Sequence, residues 1–297
     1  MSLLACYGIS KLDKRNRDII SWGIFFLVLF QLFWVTLQYF NLDPIFKSIK
    51  RFGINETVGF SGAKDQIGAF FAITLPIVIK CCPILIPISL FGIFISHSSF
   101  AFISAIISGL LYLYFTNKKH FKTSLIAVLI VSGLFFTFGE KLTRADFTNR
   151  ICVWKHSIKS TISGKLYIED RDKKLEIHTN PVFGYGLGSF LRLFPYVPNS
   201  RDNQFNYVDE KFTHAHNDYV ELFFEFGYLG LILLFAFAFS FMRSFWKAIK
   251  SKEIVLYFSC LIAYFINASG NFLSHLGMSG LLLIVLYGLY RGSLNER

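Results

Sequence analysis

The chain has 297 residues, of which 54% are hydrophobic, 18% aromatic and only 16% charged, and its mean hydropathy is +0.49. Soluble domains carry roughly 45–50% apolar and about 25% charged residues, so this composition excludes an ordinary soluble domain. Thirty Lys and Arg against 19 acids give a net charge of +11, but in such a chain basic residues first report membrane orientation, and no nucleic-acid partner is implied.

The apolar residues come in blocks long enough to cross a bilayer, which takes about 20 residues. The expected fold is all-α and polytopic, with about eight membrane-crossing or membrane-embedded helices and one long external loop domain carrying amphipathic helices. The first helix is Ile19 to Phe40, preceded by Lys11, Lys14, Arg15 and Arg17. It is too long for a secretory leader and lacks a small-residue cleavage site. A second helix runs from Gln66 to about Lys80. Cys82 to His97 and Ser99 to Phe115 form a pair parted by "SHSS", and a fifth covers Phe121 to Phe138. After a polar segment come three more, from near His216 to Phe241, Ile254 to about Ala268, and Leu276 to Tyr290. The organisation is therefore residues 1–138 as N-terminal membrane helices, 139–215 as an external (periplasmic) loop, and 216–297 as C-terminal membrane helices.

Eight alternating segments place every short basic connection on one side: "KLDKRNR", Lys80, "NKKHFK", "RSFWKAIKSK" and "RGSLNER". The turn "NASGNFLSH" on the other side has no Lys or Arg, as the positive-inside rule requires. Two outer segments are basic nonetheless. Asn41 to Lys64 holds Lys47, Lys50, Arg51 and Lys64, and Glu140 to Ala215 holds a dozen Lys and Arg. Long translocated loops escape the rule, so these cations read either as a solvated surface or as an anion site on the outer face.

The long loop carries enough aromatic surface to fold, including Trp154, Tyr167, Phe183, Tyr185, Phe190 and Phe194. "NRICVWKHSIKSTI" places Ile151, Trp154, Ile158 and Ile162 near helical spacing, the pattern of an amphipathic helix on a membrane surface. "GYGLG" at Gly184 to Gly188 permits tight turns and close backbone approach, but it follows no clear strand and is not a dinucleotide fingerprint. The five cysteines, Cys6, Cys81, Cys82, Cys152 and Cys260, have no zinc-like spacing and read as small buried hydrophobes.

"FTHAHNDYVELFFEFGYLG" gathers His214, His216, Asn217, Asp218, Glu221 and Glu225 just before an apolar run. As H-x-H-x-D it spells a metal site, yet zinc needs further rigid ligands from another element, and no second paired histidine spacing exists. As a proton path, Asn217, Glu221 and Glu225 at i, i+4 and i+8 make a polar helix stripe. As plain structure, Thr213 or Asn217 caps a helix whose first turns favour solvated acids such as Asp218 and Glu221. As chemistry, a histidine at the outer interface abstracts a hydroxyl proton while nearby cations hold a phosphate leaving group.

"HAHNDYVELFFEFGYLGLILL" resembles the signature of the O-antigen ligase and O-antigen polymerase superfamily, where a His-Asn pair opens a helix and an acid precedes a G-x-x-G apolar run. "NRICVWKHSI" resembles that family's Arg-x-x-x-Trp segment, and "NPVFGYGLGSF" its Pro-x-x-G-x-G-x-G-x-Phe segment. "LQYF", "GFSGAKDQIGAFFAITLP" and the pair around "SHSS" fit in order, so the likeness covers nearly the whole chain.

The resemblance implies a glycosyltransferase of the bacterial inner membrane with its active site facing the periplasm. Its donor would be an undecaprenyl-diphosphate-linked glycan, and its acceptor lipid A core or another glycan, lipid or protein, with no metal or other cofactor. Carried over by position, His216 would be the base and Arg150 would hold the diphosphate. Lys64 would be a second phosphate contact, while His214, Asn217 and Glu225 would orient His216 and shape the site. The resemblance leaves ligase and polymerase both open, with ligase slightly preferred. A proton-coupled transporter using the His/Glu stripe is the alternative of another class, disfavoured by nearly charge-free helix cores. Family members often carry Ser-Arg where this chain has Ser96-His97. The chain is also short, as if the first helices of a typical member were missing, so an inactive truncated form is a further alternative.

Overall fold

The computed structural model describes residues 2–40, 42, 50–51, 54–55, 59, 64–96, 98–125, 144–170, 173–197, 213–271, 273 and 277–296. His97, Lys47, His275 and most of the expected fifth helix lie outside the described residues. The chain divides into two compact units, residues 1–133, 244–267 and 273–297 in one, and residues 134–243 and 268–272 in the other.

Among its described residues, the regular structure of the first unit is helical apart from a two-residue ladder, β1 (Lys50–Arg51) with β2 (Ile54–Asn55). Its helices are α1 (Ser2–Ser10), α2 (Lys14–Tyr39), α3 (Lys64–Cys81), α4 (Ile86–Ile95) and α5 (Ser99–Thr116). Asp13 starts α2 by accepting from Asn16 N at 2.9 Å, and Ser98 starts α5 in the same manner. The helix α3 is the core of this unit, with every residue from Ile67 to Val78 buried. Its close neighbours meet it at small residues, which is how helices approach in lipid. A Cβ at Gly68 would lie 2.8 Å from Ser96 Cβ, and one at Gly92 of α4 would lie 2.5 Å from the Phe71 ring.

The helix α1 has no counterpart among the helices expected from sequence. It packs on the last helix, where a Cβ at Gly288 would come within 2.8 Å of Ile9. Arg17, one of the basic residues before the first expected helix, lies within α2. It is fully buried, bonding Glu253 Oε1 at 2.8 Å, Glu296 Oε1 at 2.9 Å and the Leu12 carbonyl at 2.6 Å. Lys80 pairs with Asp18 at 2.8 Å. These ion pairs join the start of α2 to the end of α3, to the segment after Ser251 and to the C-terminal helix, the ends that the alternating topology assigns to one side.

The second unit contains α6 (Arg144–Ser163), a hairpin of β3 (Lys165–Asp170) and β4 (Lys173–His178), the short α7 (Ser189–Leu193), and the first part of α8 (Asp218–Ala248). The hairpin pairs antiparallel, with Leu166 opposite Ile177 and Ile168 opposite Leu175. It is a β element within a loop for which amphipathic helices were expected. Val153, Leu166, Ile168, Phe190, Phe194, Ala215, Val220 and Phe224 form one buried cluster. The Phe190 and Phe194 rings stack at 4.4 Å, and Tyr185 stacks on Phe224 at 4.6 Å.

On α6, Val153, Ser157 and Thr161 are buried, whereas Ile158 and Ile162 are exposed. The remaining helices are α9 (Lys252–Ala268) and α10 (Gly277–Asn295). Among the described residues, α2, α5 and α8 are long and apolar enough to cross a membrane, with best-window mean hydropathies of 2.1, 1.7 and 2.1.

Candidate functional site

Arg150 and Trp154 lie one turn apart on α6, the spacing at which helix side chains are neighbours. Arg150 Nη1 donates to the Gly270 carbonyl at 2.6 Å, and Trp154 Nε1 donates to the Ala215 carbonyl at 2.7 Å. Ala215 is also gripped from its other side, because its N–H donates to Glu221 Oε2 at 3.1 Å. The second oxygen of that carboxylate, Oε1, lies 3.1 Å from His214 Nδ1.

His216 follows directly, with φ at +52°, the one non-glycine residue of positive φ among the described residues. The left-handed region is uncommon for L side chains and costs on the order of 1–2 kcal/mol. Such a conformation persists where its surroundings over-determine it, and here both flanks are fixed. Ala215 is held at N–H and C=O, and Asn217 on the other side is the helix cap. Asn217 Oδ1 accepts from Tyr219 N at 3.0 Å and Val220 N at 3.2 Å. The helix therefore begins at Asp218, two residues later than expected, with Asn217 rather than Thr213 capping it.

Glu221 is not a solvated first-turn acid. It is 2% exposed, and its two oxygens organise the turn that precedes its own helix. Asn217 and Glu225 are likewise buried, at 8% and 4%. Glu225 Oε1 accepts from the Phe190 amide at the start of α7, at 3.3 Å. The i, i+4, i+8 stripe thus faces protein, and acceptor atoms of all three residues are engaged by backbone amides.

Beyond Glu225 the helix breaks. Gly227 has φ +59° and ψ −148°, and the Pro181–Gly186 turn closes the gap. Tyr185 N and Gly186 N donate to the Phe224 and Glu225 carbonyls at 3.0 and 2.8 Å, while Tyr228 N and Leu229 N donate to the Pro181 and Val182 carbonyls at 3.0 and 2.9 Å. A Cβ on Gly227 would lie 2.1 Å from the Pro181 carbonyl oxygen, and one on Gly184 would lie 2.7 Å from that of Glu225. The glycine segment is therefore a splint for a broken helix.

Burial and the nearby Lys159 ammonium push the His156 pKa down, and burial pushes the Tyr185 phenol up to about 12. His156 meets Phe194 edge-on at 5.9 Å. The structure thus brings Arg150, His214, His216, Asn217 and Glu225 into one unit. Lys64 is exposed at the first position of α3, in the other unit.

A family model described as O-antigen ligase matches residues 84–235, which includes α6, the hairpin, the glycine splint and the His216 turn. This chain belongs to the O-antigen ligase family. Among curated proteins, it is 23% identical over 178 residues to a "Putative polysaccharide ligase" of Rickettsia felis, covering 58% of this chain and 42% of that protein. A protein of the same description from Rickettsia conorii is 22% identical over 178 residues, covering 58% and 41%. The matched region spans about two-fifths of the length of these relatives. Residue patterns made the O-antigen ligase family legible in sequence, but Glu221 and the break at Gly227 gained their meaning only from the fold.

Proposed function

We propose that this membrane protein is a glycosyltransferase that moves a glycan from an undecaprenyl-diphosphate carrier to an acceptor hydroxyl on the outer face of the bacterial inner membrane. Eight alternating crossings with both ends inside fit the basic connections and the ion pairs of Arg17 and Lys80. A ligase acting on lipid A core or another glycan, lipid or protein is favoured over a polymerase, because both curated relatives are described as polysaccharide ligases.

In this reading the His216 imidazole takes the acceptor proton, the general-base role that a positioned histidine most often fills. The acceptor oxygen bonds to the anomeric carbon as the bond to the diphosphate oxygen breaks, and the electron pair leaves on the lipid diphosphate. Arg150 offers a fixed positive charge to that leaving group, the kind of preorganised stabilisation that matters most where charge develops. Lys64 is proposed as a second phosphate contact, and His214, Asn217 and Glu225 as supports. The observation that carries the reading is the left-handed His216, held between two pinned neighbours, one of them pinned by Trp154 from the helix that bears Arg150.

Expression of His216→Ala and Arg150→Ala in a host whose surface glycan depends on this gene tests it. Both variants should accumulate in the membrane and lose glycan display on a gel. Wild-type display by both would overturn the assignment.

A further inference from the structure

Along α8 the environment changes at one point. Val220, Glu221, Phe223, Phe224 and Glu225 are buried, whereas from Phe226 to Phe239 the large apolar side chains are exposed or half-buried, with Ile232 at 63% and Phe235 at 69%. Phe226–Met242 contains no charged residue and is followed by Arg243. At 1.5 Å per residue this stretch is about 25 Å long, close to the roughly 30 Å hydrocarbon core of a bilayer. The lipid boundary on α8 therefore coincides with the break at Gly227.

The turn that splints this break must lie at the same level, since its backbone bonds the helix on both sides of Gly227, from Phe224 to Leu229. The large outward side chains of this turn and of the residues that continue it to Leu191 are apolar: Phe183 is 62% exposed, Leu187 80% and Leu191 51%. Water is a poor solvent for three such groups at one turn. Lipid is the adjoining medium, because the exposed face of α8 beside them is already as apolar as acyl chains require.

We propose that the Pro181–Leu191 turn is a lipid-docking wedge, with Phe183 and Leu187 inserted among acyl chains beside the Gly227 break. The wedge fixes the depth of the unit, so that Asp218, at the top of the intact helical stretch, stands about 12 Å above the lipid boundary. Docking stands independently of any catalytic role. Resting on the transferase reading, it would put the head group of a lipid-linked donor, rather than its chain, at the level of His216.

Site-specific photocrosslinking on the full chain in nanodiscs of phosphatidylethanolamine and phosphatidylglycerol tests this. p-Benzoyl-phenylalanine replaces Phe183 or Leu187, with Phe235 as the lipid-facing control and Lys174, exposed on the hairpin, as the comparison. Lipid adducts at 183 and 187 should approach those at 235 and exceed those at 174 by at least about fivefold, as expected for insertion against surface contact. Adducts at 235 with none at 183 and 187, or chain-to-chain dimers at 183 and 187, would overturn the wedge. Neither result bears on glycan transfer, so failure of the wedge and failure of the transferase reading are separable.

Discussion

Glu221 Oε1 sits 3.1 Å from His214 Nδ1, while its other oxygen takes the N–H of Ala215 at 3.1 Å. One buried carboxylate thus fixes the two residues that deliver the chain to His216. Glu221→Gln keeps the shape and one acceptor, so the fold should survive. The histidine turn should lose its charged partner and loosen. Transfer should fall roughly ten- to hundredfold, mainly in kcat, as expected when a reacting group is misplaced by about an ångström. Glu221→Ala should in addition lower stability by about 1–3 kcal/mol, because the Ala215 amide is left buried and unsatisfied. Steady-state kinetics with thermal melting separate the two effects; unchanged kcat in both variants would remove Glu221 from the account.

Gly227 and Gly184 are constrained by space as well as by φ, since an added Cβ meets backbone atoms at 2.1 and 2.6 Å respectively. Gly227→Ala and Gly184→Ala should each cost at least about 2 kcal/mol, from left-handed strain and from a clash with backbone that cannot rotate away. Gly186→Ala is the informative comparison, because a Cβ there meets nothing within 4 Å. It should retain more stability than either in detergent melting curves. Equal loss at all three positions would contradict the splint.

His156 gives the second unit a pH dependence. Its pKa is depressed in the fold by burial and by Lys159, so the unfolded chain binds the proton more readily. Stability is therefore full above about pH 6.5 and declines as pH falls from there through the lower folded value. The hydrogen-exchange protection factors of residues 190–196, which include Phe194 against the imidazole ring, should fall between pH 7.5 and 5.5 once rates are normalised to the intrinsic base-catalysed rate at each pH. His156→Gln should flatten that response, and an identical loss of protection in the variant would assign it elsewhere.

Much of the helical plan was legible because its signals are local. Asp13, Ser98 and Asn217 are capping residues at the starts of α2, α5 and α8. The segment read as Gln66 to Lys80 is α3, Lys64–Cys81. The hairpin was also written locally, in the alternation of Leu166 and Ile168 and of Leu175 and Ile177, but the helical spacing of the preceding segment drew attention away from it. Glu221 was not legible. An acid in a first turn normally faces water, but the chain folds His214 and Ala215 back onto this one, and its neighbour Val220 joins a core with the distant Val153, Phe190 and Phe194. The break at Gly227 was hidden for a similar reason, since an apolar run containing one glycine reads as an unbroken helix until the Pro181 segment is seen to close it.

The central claim concerns His216, and the rate of donor consumption measures it most directly. The full chain in proteoliposomes, supplied with an undecaprenyl-diphosphate-linked glycan and an acceptor, should release undecaprenyl diphosphate. His216→Ala should slow that release by at least about a hundredfold, the usual contribution of a positioned base, while its melting temperature stays near that of the unaltered chain. Release within a few-fold of the unaltered rate by a folded His216→Ala protein would contradict the account.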